Sequence, residues 1–438
     1  MIGKIRYLIE RKNIDEKDIL CITFTRDASN NLEKNIIKNY NYNIKVYTFH
    51  KLALEFLKTK RLNIIENNYL EYIIDEYFYS IIFNNKEMVN TVKKILNKID
   101  TPYKYLLNSN EFLNFKKLII TFINLFKTND YNIEYFLSMN KYKDIIRIII
   151  DIYFLYEIEL KSTNCIDFND MIKLGTLYVK YNEIKKYKYI IVDEYQDTSY
   201  TRYKFLKEII NKTGAKLICV GDDYQSIYRF NGCNINMFLN FKKYFGYAKI
   251  LKINNTYRNS QELINVAGSF IMKNPRQMYK KLKSNKHINK PIKIYYGNAI
   301  NKILDIIIDK YNDIMILGRN NFDIKKYFVI DEHNCFKYKN KYIKYLTVHA
   351  SKGLESECVI IINLIDDILG FPNKMSDHKV LKYVNNNIDL YPYEEERRLF
   401  YVALTRTKNE VYLLVDKSNP SIFIKELIKN YSNYIEYI

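Results

Sequence analysis

The stretch YIIVDEYQDTSY, residues 189–200, decides how the chain is read. Its apolar run Tyr189–Val192 ends abruptly in two carboxylates, Asp193 and Glu194, with Gln196 and Asp197 close behind. A short continuous apolar run bounded by polar residues predicts a strand buried on both faces of a parallel sheet. Ligands of such sheets bind beyond the carboxyl ends of the strands. Two adjacent acids there repel unless a cation or water separates their roles. One can hold Mg2+ while the other polarises a water for attack on a γ-phosphate. The plainer alternative is a solvated turn after a strand.

Similar runs recur along the chain: ILCITFT (19–25), IKVYTFH (44–50) and KLICVG (216–221), then DIMILGR (313–319), KYLTVHA (344–350), CVIIINL (358–364) and VYLLVD (411–416). Helical patterns lie between many of them, so an α/β fold with two blocks of buried parallel sheet is expected. Residues 58–160 show almost no strand pattern; ENNYLEYIIDEYFYSIIF (66–83) and YKDIIRIIIDIYFLYEIEL (142–160) carry apolar residues at helical spacing. An all-helical insertion is predicted there, its aromatic and Ile stripes forming its own core. A lysine-rich stretch with Pro291, KKLKSNKHINKPIKIYYG (280–297), separates the two blocks. The expected division is 1–57 with 161–279, an insertion 58–160, and 280–438.

At 438 residues the chain is too long for one compact domain. No run is apolar enough to span a bilayer, and MIGKIRYLIERK is too charged for a signal peptide. The six cysteines are scattered, with no CxxC pair, and read as reduced thiols of an intracellular, non-secreted protein. The net charge is +20, from 69 Lys and Arg against 49 Asp and Glu, which favours polyanionic partners such as nucleic acid. The chain is crowded with Lys, Asn, Ile and Tyr, all readable from AT-rich codons, so part of the Lys excess is coding bias. The same bias makes arginine informative: only 13 of the 69 basic residues are Arg. Each is a candidate for a task Lys does poorly, such as a bidentate grip on phosphate.

Further motifs surround the acids: VGDDYQSIYRFNG (220–232), NNTYRNSQELINVA (254–267), LTVHASKGLESECVIIINL (346–364) and EEERRLFYVALTRTK (394–408). With ITFTRDASNNLEK (22–34), VYTFHKLALEFL (46–57), IDFNDMI (166–172) and DEYQDT (193–198), they resemble, in order, the motifs of superfamily 1 DNA helicases of the UvrD/Rep/PcrA type. PSIFIKEL (420–427) is similar to where that helicase core ends, so the resemblance runs from about residue 4 to 427. One such motif is weak; eight in order are specific.

The resemblance implies two RecA-like parallel-sheet domains with a helical insertion in the first, and a 3′–5′ helicase using ATP and Mg2+ on single-stranded DNA and single-strand/duplex junctions, wherever DNA is, cytoplasm or nucleus. By it, Asp193 holds Mg2+, Glu194 activates water, and Gln225 senses the γ-phosphate and couples it to DNA. Arg258 and Arg406 are arginine fingers; surface ion pairs are the plainer alternative. Tyr257 stacks on adenine, Glu355 meets the ribose, and Gly353 belongs to the same nucleotide-binding set. For DNA, Phe24, Tyr228 and Phe230 fall where the family stacks bases, and Thr48, His50 and His349 near where it grips the strand. For the two histidines a hydrogen-bonded core role stays equally open. Asn231 stands where the family usually has an Arg, removing a phosphate contact. Only 25 residues separate Asn321 from Thr347, so the family's second insertion is expected to be absent or reduced to a hairpin.

A phosphate-cradling loop needs GxxxxGK[ST], so that backbone N–H groups can crowd around the phosphates. Between Met1 and Gly175 the only glycine is Gly3, and MIGKI has Ile5 where Ser or Thr should be. The segment KIRYLIERKNIDEKDIL (4–20) resembles the helix and turn that follow the family's loop. Three expectations stand: a helicase chain truncated at its N-terminus; a non-catalytic remnant that binds single-stranded DNA or a partner; or a loop supplied by a separate polypeptide.

Overall fold

The computed structural model describes residues 1–60, 62–66, 68–385 and 389–438, and they fall into two compact units. Unit one comprises Met1–Gly221, Arg229–Asn234 and Asp377–Ile388; unit two comprises Asp222–Tyr228, Ile235–Ser376 and Asp389–Ile438.

In unit one, α1 (Ile2–Lys12) leads into β1 (Ile19–Thr23), followed by α2 (Arg26–Tyr40), β2 (Val46–Thr48) and α3 (Phe49–Leu57). Every residue of β1 is buried, as its unbroken apolar run requires. The run 44–50 is shorter as a strand than its apolar pattern predicts, because the Thr48 hydroxyl accepts from Lys51 N at 3.2 Å and starts α3. A short strand β3 (Asn63–Ile64) precedes α4 (Tyr69–Glu76), a π-helical turn (Tyr77–Ile82), α5 (Lys86–Ile95), α6 (Tyr103–Leu106), α7 (Asn110–Asn129), α8 (Ile133–Leu137) and α9 (Lys143–Ser162). These helices bury their own core, including Phe78, Phe112, Phe115, Phe122 and Phe136, joined by Val380, Leu381 and Val384. The chain returns through β4 (Cys165–Ile166), which pairs with β3, then α10 (Phe168–Tyr181), β5 (Tyr189–Val192), α11 (Tyr200–Thr213) and β6 (Lys216–Cys219).

The main sheet of unit one has the order β2-β1-β5-β6, all parallel, with Leu20 opposite Ile190 and Val192 opposite Cys219. The chain steps outward from β1 to β2, then returns to β5 on the other side of β1. That reversal opens a crevice at the carboxyl ends of β1 and β5. β6 is an edge strand, and Leu217, Ile218 and Cys219 are only half-buried, unlike the sealed β1.

Unit two contains α12 (Ile235–Leu239), α13 (Phe241–Phe245), α14 (Gln261–Ile271), β7 (Ile292–Tyr296), α15 (Ile300–Ile307), β8 (Ile314–Gly318), β9 (Cys335–Tyr338), β10 (Lys341–Thr347), β11 (Ser356–Ile361), α16 (Glu394–Leu404), β12 (Thr407–Val415), α17 (Ile422–Tyr431) and β13 (Ile435–Tyr437). Its sheet runs β13-β7-β12-β11-β8-β10-β9, parallel except for the β9–β10 hairpin. Between Asn321 and Thr347 the chain forms one 3-10 turn and this hairpin. Among the described residues no helix is long and apolar enough to cross a membrane.

The helical segment is tied to α10 by one buried amine. Lys127 Nζ lies 2.6 Å from Asp167, 2.7 Å from Glu157 and 3.0 Å from Asp170, with the Tyr156 ring 5.2 Å away. Asp167 and Asp170 also form the capping box of α10. Three carboxylates outnumber one ammonium. Burial, opposed by Lys127 and reinforced by Asp167, pushes Asp170 up to about 6. A carboxyl whose folded pKa is raised contributes stability below its unfolded value, near 4, and loses it as pH climbs through about 6. Asp170→Asn should therefore be more stable than the parent by about 1–2 kcal/mol at pH 7.5, with the advantage gone near pH 4. Urea midpoints at the two pH values check this.

Candidate functional site

Unit one contributes the acids. Asp193 follows β5 directly, and its backbone N–H donates to Ile22 O at 2.9 Å, which holds it in the crevice against β1. Burial, then the charge of Glu194, raises its pKa. Glu194 sits in the left-handed region at φ 52°, which turns its side chain off the strand direction. Its carboxylate accepts from Gln196 Nε2 at 2.5 Å. Among the described residues no cluster of three or more His, Cys, Asp or Glu forms a ready-made metal cage. The half-buried Asp193 carboxylate, with Glu194 beside it, suits a hard cation that takes its other ligands from phosphate and water, so the donor set fits Mg2+.

Three of the expected DNA residues of unit one, Phe24, Thr48 and His50, lie at the ends of β1 and β2. Phe24 packs edge-on against Phe49 at 5.3 Å, and the Arg202 guanidinium covers its ring at 5.1 Å. Thr48 is buried and its hydroxyl is occupied as the α3 cap. His50 packs edge-on against Phe168 at 5.6 Å; burial, then the charge of Arg202, lowers its pKa to about 4, so it is neutral at pH 7. Phe230 lies on the short 3-10 turn Arg229–Asn231 and is 54% exposed; Asn231 follows it where the resemblance implies an arginine.

Unit two holds the remaining candidates at opposite ends of its sheet. Gly353, Glu355 and Arg406 lie just before β11 and β12, at their amino ends, where Ser356 N donates to Arg406 O at 3.0 Å. The carboxyl-end rule, which places Asp193 correctly, does not place these. Gly353 has φ +84°, a backbone conformation an L side chain resists, and it turns the chain ahead of Glu355. Glu355 accepts from Arg258 Nε at 2.7 Å and pairs with Lys408 at 3.1 Å. Two candidates assigned to different parts of a nucleotide thus hold each other. Tyr257, next to Arg258 in the chain, is 86% exposed.

Arg406 is 1% exposed. Its Nε donates to Val402 O at 3.1 Å, Nη1 to Leu354 O at 3.1 Å, and Nη2 reaches Gln225 Oε1 at 3.5 Å. Gln225 Nε2 donates to Asp222 at 2.8 Å, and Gln225 O accepts from Lys352 Nζ at 2.7 Å. That ammonium lies 5.0 Å over the Tyr228 ring. Tyr228 in turn donates its hydroxyl to His349 O at 3.1 Å, at the carboxyl end of β10. Burial, then Arg319, lowers His349 to about 4, and it too is neutral at pH 7.

Several residues of this network carried no signal in the sequence. Lys280 bonds Asp222 and Asp223 and covers the Tyr224 ring at 4.0 Å, fixing the segment that presents Gln225. Asn259 donates to Thr405 O and Thr407 O at 3.3 and 2.6 Å, tying the Arg258 segment to the start of β12. Lysine and asparagine are too abundant here to stand out. Scarcity did mark the arginines, but Arg319 grips Glu396 and Arg397 grips Glu426 bidentately. Arg398 bonds Glu394 and Ser226 O. The guanidinium fork matches carboxylate as well as phosphate, so scarcity selects for forked pairing in general.

Two helix-flanked, largely parallel sheets, the first with paired acids beyond the carboxyl end of β5, define an α/β protein of the RecA-like helicase-core class. The chain belongs to the UvrD/REP helicase family: residues 1–246 match the UvrD/REP helicase N-terminal domain, and 329–418 the UvrD-like helicase C-terminal domain. It is 32% identical over 280 residues to DNA helicase IV of Escherichia coli K12, covering 62% of this chain and 40% of that protein. It is 28% identical to the ATP-dependent DNA helicases Rep of two Buchnera aphidicola subspecies. From Baizongia pistaciae the match covers 84% of this chain and 54% of the relative. From Acyrthosiphon pisum it covers 98% and 70%. The chain thus spans about half the length of most curated relatives it matches.

The two arginine candidates differ in burial, and their substitutions should separate. Arg406→Ala empties the space of a side chain that is almost wholly buried and removes its bonds to Val402 O, Leu354 O and Gln225, and should cost about 2–4 kcal/mol of stability. Arg258→Ala breaks a half-exposed ion pair and should cost under about 1 kcal/mol. Urea unfolding of both variants, without nucleotide, measures the difference.

Proposed function

We propose that this chain carries the motor core of an ATP-dependent 3′–5′ DNA helicase or translocase. It couples DNA-stimulated ATP hydrolysis to movement on single-stranded DNA and to opening of single-strand/duplex junctions. In this reading residues 1–57 with 161–279 form the first RecA-like lobe, 58–160 its insertion and 280–438 the second lobe. The observation that carries the proposal is the position of Gln225. Its side chain meets Arg406, and its carbonyl holds the lysine that covers Tyr228. Gln225 therefore meets a candidate phosphate-sensing arginine directly and a candidate base-stacking ring through Lys352, which is the kind of link that coupling requires.

The roles follow from chemistry. Mg2+ would neutralise charge on the phosphates, held by Asp193. Glu194, next to it in the chain, accepts the proton of the attacking water. Arg258 and Arg406 offer permanent positive charge to the transferred phosphoryl group. Tyr257 offers an exposed face to adenine, with Glu355 toward the ribose and Gly353 letting the backbone approach. Phe24, Tyr228 and Phe230 offer stacking surfaces. Neutral His50 and His349, with Thr48, line the strand rather than neutralise it.

The phosphate cradle is the missing component of this site. No GxxxxGK[ST] occurs in residues 1–438, while the half-buried apolar edge of β6 is open beside the acids' strand. We therefore place the cradle on a segment outside these residues. Joined to a preceding strand and GxxxxGK[ST] loop, the protein should hydrolyse ATP in response to single-stranded DNA, and residues 1–438 alone should not. Single-strand binding by the loop-joined protein without any ATPase activity would favour the non-catalytic remnant instead.

In the loop-joined protein, Glu194→Gln should lower ATP turnover by about 100-fold or more while ATP still binds. Retained turnover removes Glu194 as the base. In residues 1–438, Phe230→Ala should weaken binding of a dT oligonucleotide by about 1–3 kcal/mol, read by fluorescence anisotropy at fixed salt.

A further inference from the structure

The turn that presents Phe230 is held from two sides within unit one. On one side it is tied to the segment that follows the acids: Asn234 N donates to Thr198 O at 2.8 Å, and Cys233 Sγ lies 2.8 Å from Asp197 O. On the other side it touches the end of α7. Gly232 has φ +76°, and a Cβ built there would stand 2.6 Å from Thr128 Cγ2 and 3.6 Å from Leu125 Cδ2. The turn and the helix meet with no room for a methyl group between them.

The end of α7 is itself seated firmly. Lys127 is buried among Glu157, Asp167 and Asp170. The Thr128 hydroxyl donates to Asn169 Oδ1 at 2.8 Å. Asn129 donates to Val384 O at 3.0 Å, and Asp130, in the left-handed region, accepts from Lys204 at 2.5 Å. Four consecutive residues each fasten to a different place, so the position of the Thr128 methyl is closely determined.

We propose that the last turn of α7 is a positioning element for DNA binding: Thr128, seated by its neighbours in the helical segment, sets the turn 229–232 and thereby the orientation of the Phe230 ring. This rests on the reading that Phe230 stacks on a base. Lys127 and Thr128 touch no DNA in this scheme and act through the turn. The helical segment then serves single-strand affinity through a packing contact, in addition to any surface of its own.

The test uses residues 1–438 and a fluorescein-labelled dT oligonucleotide. Gly232→Ala, confirmed folded by its circular dichroism and thermal transition, should weaken binding about tenfold, within the range that loss of a stacked base produces. Adding Thr128→Ser, which removes the methyl at 2.6 Å and keeps the hydroxyl, should recover the part of that loss due to the collision, while the backbone strain at φ +76° and the Thr128 Cβ at 3.0 Å remain. In a Phe230→Ala background the Gly232→Ala change should have almost no further effect, because the ring it misplaces is gone. Equal loss in both backgrounds, or full affinity in Gly232→Ala when Phe230→Ala alone binds weakly, overturns the proposal and leaves the stacking role standing. Full affinity in Phe230→Ala alone overturns the stacking role itself, and the proposal with it.

Discussion

A parallel strand has to be covered on both faces, so its chemistry is pushed to its ends. That constraint organises this molecule. β1 and β5 are apolar but for Thr23 and buried but for the half-covered Tyr189, and each delivers its candidate residues at the same crevice, Phe24 after one and Asp193 with Glu194 after the other. The backbone bond from Asp193 N to Ile22 O continues the ladder one residue beyond β5, fixing the first acid just before the chain turns through Glu194.

The second sheet obeys the same rule and uses both ends. Its carboxyl ends carry His349 and the approach to Tyr228, whereas Gly353, Glu355 and Arg406 gather before β11 and β12. What spans the distance is the segment 222–228, folded into this unit by Lys280, Arg398 and Arg406. Lys280 holds two acids of that segment, Arg398 a backbone carbonyl and Arg406 the Gln225 amide oxygen. Its geometry is therefore set by buried, charge-assisted bonds rather than by regular secondary structure.

Buried arginine has a double meaning here. Arg406 combines a place in the motif expected to contact phosphate with three hydrogen-bonding nitrogens already engaged inside the protein. Arg258 shows the reverse, half-exposed and paired with Glu355. The exposed pair can exchange partners at little cost, whereas moving Arg406 must reorganise Gln225 and the loop before β11. That difference suits one residue to bind and release and the other to transmit.

The sequence by itself determined the fold class and the strands that carry the acids, because continuous apolar runs of strand length have few places to go other than a doubly covered sheet. It also determined the order of motifs, which names the family, and the small size of the region between Asn321 and Thr347. It could not show that Thr48 is spent on capping α3, that Arg258 and Glu355 close on each other, or that Lys127, one of many lysines, sits among three acids. Those are long-range pairings, decided by which side chains the folded backbone brings within hydrogen-bond distance. Burial decided the rest: the same Arg or His is an exposed grip or a neutral, enclosed group according to what covers it, and no local pattern records that.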